Sequence, residues 1–102
     1  MTLALVLAVD EVVTNIIQHG YRGQPGEIDI EIERRPDAAV VYVRDQAPPF
    51  DPTRLPDPDI TLPLEQRPEG GMGVYLARRS VDDMSHQVTD QGGNQLTLTK
   101  KT

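Results

Sequence analysis

The chain has 102 residues, enough for one domain that buries roughly two thirds of its unfolded surface. Its net charge of −6 argues against nucleic acid held by general electrostatics, and its 37% hydrophobic content argues against a disordered chain. Without cysteine there is no disulfide framework and no thiolate metal site, so a reducing cytoplasm is the expected compartment.

The run Leu3–Val9 is apolar but too short for a membrane span or a secretory signal, so no membrane partner is expected. It opens a longer stretch, Leu3–Tyr21, that carries Glu11, Asn15 and His19 at a spacing of four. On a helix such residues stack on one face, here flanked by Val9, Val12, Val13, Ile16 and Ile17. The spacing therefore predicts a helix over Leu3–His19 with a polar stripe on an apolar body. Such a stripe is either the solvated side of an amphipathic helix or a row that needs partners or a ligand. Gly20 is expected to end the helix in the left-handed cap conformation.

After the loop YRGQPG the period changes to two. Glu27–Arg34 reads as a strand with Ile28, Ile30 and Ile32 facing the core and the acids facing water. A turn at RRPDA leads to a second strand, Ala38–Asp45, expected to pair antiparallel with the first. From Gln46 to Gly71 the sequence then holds seven of the nine prolines, a density no helix or central strand tolerates. A stretch this long inside a small domain is either a lid, expected over residues 46–70, or a disordered insertion. Its place between an acidic strand end and a glycine cluster favours the lid, mobile when no ligand is bound.

GGMG, residues 70–73, opens a second predicted helix, Gly73–Asp82, whose apolar side would be Val74, Leu76, Ala77 and Val81. Its unpaired N–H groups could face an anion, although glycines before a helix are often plain connection. Two short strands, Ser85–Asp90 and Asn94–Lys100, close the chain as a hairpin with Val88, Leu96 and Leu98 inward.

Three signals thus occur in one order: E-x-x-x-N on a helix, an aspartate at a strand end, and a proline-rich lid closing on GGMG. In that order the chain resembles the GHKL (histidine kinase-like) ATPase superfamily, and within it the stand-alone anti-sigma factor serine/threonine kinases. AVDEVVTNIIQHGY resembles the family's N box, VRDQAPPFDP its first glycine box, EGGMGVYLARRSVDDM its second, and GGNQLTLTKK its last strand. The resemblance covers essentially the whole chain, residues 1–102. It implies an α+β fold, a two-layer sandwich of helices on a mostly antiparallel sheet of the Bergerat type.

The resemblance also implies roles. ATP and Mg²⁺ would be the cofactors, with Asn15 holding the ion through its side-chain oxygen. Glu11, one turn earlier, would orient or deprotonate the attacking nucleophile. Asp45 would accept from the adenine 6-amino group, Met72 and Phe50 would cover the ring or lid, and the backbone at Gly71 and Gly73 would approach the phosphates. His19 would touch phosphate or cap the helix, and Arg54 and Arg67 are weaker phosphate candidates. The implied protein partners are an anti-anti-sigma (antagonist) protein and a sigma factor, giving transcription regulation without direct nucleic-acid contact. The alternative is a non-catalytic interaction module on the same fold. The chain departs from the family pattern in two places. Ala47 stands where the first glycine box usually has glycine, followed by Pro48 and Pro49, which narrows the approach to adenine. Family members normally carry a further strand and helix before the N box, whereas this sequence begins at Met1 with the N-box helix. Either the sequence is truncated or a partner covers what is left open, and a missing strand would leave a sheet edge and a helix flank open to a homodimer or a docking partner.

Overall fold

The computed structural model describes residues 2–55, 61 and 71–102. Most of the expected lid, including Arg67, lies outside the described residues. Helix α1 spans Leu3–Asn15 and continues as a π-helical turn, Ile16–Gly20. Strands β1 (Ile28–Arg35) and β2 (Ala38–Asp45) follow, then a short 3-10 turn at Pro52–Arg54. Helix α2 is Gly71–Ser80, and β3 (Asp83–Val88) with β4 (Asn94–Lys101) completes the sheet.

The strand order is β1-β2-β4-β3, every neighbouring pair antiparallel. This is the expected α+β architecture, with both helices on one face. Period-two alternation sets that face, because cross-strand partners point the same way. One row across the sheet is Ile30, Val43, Leu96 and His86, and the next is Ile32, Val41, Leu98 and Met84. Leu5, Ala8 and Val12 from α1 and Ala77 from α2 close over Val41, Val43, Leu96 and Leu98 to form the core. Each fully buried leucine or valine there contributes about 1.5–3 kcal/mol. By length and composition alone Leu3–Gly20 could also cross a membrane. In this fold its Leu5–Ala8–Val12 stripe is core, with Thr2 capping its start by accepting from the Leu5 N–H.

Four expectations need correction. Ile30 and Ile32 point to the helix face but remain 46% and 53% exposed, because the helices reach β1 only at Ile28. Val88 shares that face and is 53% exposed, lying at the far end of β3, while Met84 packs on the core instead. Leu76 is exposed on α2, so Val74 and Ala77 carry the buried side. Gly20 does not take the left-handed conformation; Arg22 and Gly23 do, at φ 53° and 76°. The chain is small at Gly20 for another reason, which belongs to the site.

The opposite face of the sheet is polar. Arg44 bridges Glu31 and Asp29 at 2.9 and 3.1 Å, which places the strand acids toward water as the alternation requires.

Candidate functional site

The site begins where α1 loosens. After Asn15 the Tyr21 N–H reaches back five residues to the Ile16 carbonyl, so the last turn widens. Such π turns inside helices recur at functional sites. Asn15 at the end of α1, and His19 and Gly20 on the turn, line a cavity of about 660 Å³. That volume lies in the range of small-molecule pockets. Gly20 stands against Ala47, and a Cβ at Gly20 would lie 3.2 Å from the Ala47 methyl. Room at this contact therefore exists for one methyl group.

The far wall is the end of β2. Asp45, 5% exposed, accepts two hydrogen bonds on Oδ1, from the Ala47 N–H at 2.9 Å and from the Asn94 side-chain amide at 2.9 Å. Asn94 is its direct cross-strand neighbour on β4. The same amide nitrogen donates toward the Ala47 and Pro48 carbonyls at 3.2 Å. Asn94 Oδ1 accepts from the Phe50 N–H at 2.9 Å and lies 2.7 Å from His86 Nε2. Since that oxygen only accepts, Nε2 carries the proton. A second brace is Tyr21, whose hydroxyl donates to the Glu27 carbonyl at 2.6 Å and accepts from the Gln46 N–H at 2.7 Å. Asn94 and Tyr21 are not among the site residues expected from the sequence. The register that sets Asn94 opposite Asp45 is the signal that could have found the first; the hydroxyl of Tyr21 gave none.

Asn15, His19, Asp45 and Phe50 all line this cavity. Glu11, Met72 and Gly73 are not among its lining residues; Met72 and Gly73 lie in the first turn of α2, where the Glu11 carboxylate reaches Gly73. The Glu11 carboxylate rests where a side chain on Gly73 would go, since a Cβ there would lie 2.7 Å from Oε2. Gly71 is the first residue of α2. The stripe on α1 is thus divided, with Asn15 facing the cavity and Glu11 facing the helix start. Arg54 is exposed and pairs with Asp51 at 3.4 Å. Burial pushes the Asp51 carboxyl up, but donation from the Thr53 hydroxyl and N–H, with the nearby charges of His86 and Arg54, leaves it below its ordinary value. Among the described residues no group of three or more His, Cys, Asp or Glu is placed to hold a metal.

The described residues thus combine a helix-borne amide and a strand-end carboxylate on one cavity with a glycine-cleared helix start beside Glu11. The chain belongs to the histidine kinase-like ATPase domain family, whose family model matches residues 2–100. Among curated proteins it is 35% identical over 98 residues to the serine-protein kinase RsbW of Bacillus cereus strain AH187, covering 92% of this chain. The same name belongs to relatives in Bacillus thuringiensis subsp. konkukian, also 35% identical, and Bacillus mycoides, 34% identical, each over 98 residues and 92% of this chain. The chain spans about 60% of the length of these curated relatives.

Proposed function

We propose that this chain binds Mg-ATP and acts as an anti-sigma regulatory serine/threonine protein kinase, phosphorylating an antagonist protein and controlling a sigma-factor partner. The observation that carries the reading is the divided stripe: Asn15 and Asp45 face one cavity while Glu11 lies against Gly73. The likeness to serine-protein kinases supports it.

In this reading Asp45 accepts from the adenine amino group and Asn15 holds the magnesium ion. Glu11 takes the proton from the attacking serine or threonine hydroxyl. The opening N–H groups of α2 and the positive end of its dipole favour the anionic phosphates. Bound Mg-ATP supplies the transferable phosphoryl group and neutralises its charge. The protein's part is positioning and electrostatics, with no covalent step of its own.

Calorimetry with Mg-ATP and label transfer to an antagonist protein test the proposal. Wild-type chain is expected to release heat and transfer label, and Glu11→Ala to keep binding while losing transfer by about 100-fold or more. Transfer unaffected by that change rules out the assigned base. A second reading, a non-catalytic interaction module, is favoured by Ala47, whose buried methyl stands in the first glycine box. No heat at millimolar nucleotide, about the weakest useful affinity, selects the module.

A further inference from the structure

We infer that Asn94 is the positioning residue that sets base selectivity, by fixing which oxygen of Asp45 a ligand meets. The inference rests on the nucleotide reading above. Asn94 is 7% exposed and lines the cavity, yet it has nothing left to offer a ligand. Its two N–H bonds face three acceptors, on Asp45, Ala47 and Pro48, and its oxygen already accepts from Phe50 and His86. Its effect must therefore be exerted through Asp45.

That effect follows from lone-pair accounting. Oδ1 of Asp45 holds two donors, the Asn94 amide and the Ala47 N–H. Among the described residues no donor reaches Oδ2, which is the oxygen left for a ligand. A base that presents an amino group there gains a charge-assisted hydrogen bond, while a base with a carbonyl sets oxygen against oxygen. Without Asn94 the carboxylate keeps one anchor and can rotate, so the distinction weakens. His86 and Phe50 hold the Asn94 amide in the required orientation, because both donate to its oxygen. The hairpin end that carries Asn94 is thereby tied to the first residues of the proline-rich segment.

The test is the ratio of affinities for ATP and inosine triphosphate, which differ in the group at position 6, measured by calorimetry on the whole chain with Mg²⁺. Wild type is expected to favour ATP by about 100-fold. Asn94→Ala is expected to cut that ratio by about tenfold, the worth of one hydrogen bond to a charged group. Asn94→Ser, which keeps a small polar side chain, is read out the same way, and thermal unfolding verifies that each variant is folded. If both affinities fall together and the ratio holds, Asn94 only supports the fold and the inference is overturned. A wild-type ratio near one overturns it as well, since Asp45 then does not discriminate. Absence of binding to either nucleotide by wild type overturns the nucleotide reading together with this inference, whereas an unchanged ratio in the variants leaves that reading intact.

Discussion

At the Asp45 end of β2 a dense set of polar groups is buried, and no described buried side-chain nitrogen or oxygen lacks a hydrogen-bond partner. Along β1, on the same face of the same sheet, Ile30 and Ile32 stand half in water. The contrast separates two tasks. Apolar burial under α1 and α2 contributes most of the folding free energy, and can leave β1 partly uncovered. The polar end adds little net energy per hydrogen bond, but an unpaired group there costs more than a bond gains. It is therefore complete except at Asp45 Oδ2, which no described donor reaches.

The comparison can be broken most forcefully in the core. Leu98→Ala, at a fully buried position, should lower stability by about 2–5 kcal/mol in urea unfolding. A loss below about 1 kcal/mol would mean that β4 is not the centre of the core. Gly73→Ala tests the polar side. The added Cβ meets only the end of the Glu11 side chain, and alanine favours the helix, so stability should change by no more than about 1 kcal/mol. Phosphoryl transfer, if Glu11 is the base, should fall far more than stability does. Ile32→Thr keeps a β-branched residue at an exposed site and should shift stability by no more than about 0.5 kcal/mol. If β1 is an interface between copies, sedimentation of that variant will show a lighter species.

The smallest effect concerns pH. Asp51 has a folded-state value below its unfolded one, so its contribution is present above the unfolded pKa and is lost as pH falls through the folded value. Asp51→Asn should accordingly flatten the acid limb of the stability profile and leave the alkaline limb alone. A variant whose acid limb matches wild type would remove Asp51 from the account.

Much of this was legible in the chain. The alternation EIDIEIE, the turn at RRPDA and the hairpin around Gly92 fixed strand identity, since period two has few rivals over such lengths. The four-residue spacing on α1 pointed to Asn15 and Glu11 as neighbours. What could not be read were properties of assembly. Ile30 and Ile32 obey the strand pattern, but whether a helix covers them depends on where α1 lies across the sheet. Asn94 is one polar residue among several in its hairpin, and its five partners come from β2, β3 and the segment after β2. The split between Asn15 and Glu11 arises because Glu11 lies against Gly73 in the first turn of α2 while Asn15 lines the cavity.

The contact between Gly20 and Ala47 has a consequence for how such a pocket can change over generations. Enlarging residue 20 first would press two methyl groups into a space sized for one, whereas shrinking residue 47 first opens that space. Glycine and alanine therefore trade places more easily when residue 47 shrinks first, through a doubly glycine intermediate with a looser junction between helix and strand. The other order asks a 3.2 Å contact to give by a few tenths of an ångström. Reconstructing both single replacements and the double one, and asking whether their effects fail to add, would reveal that directionality.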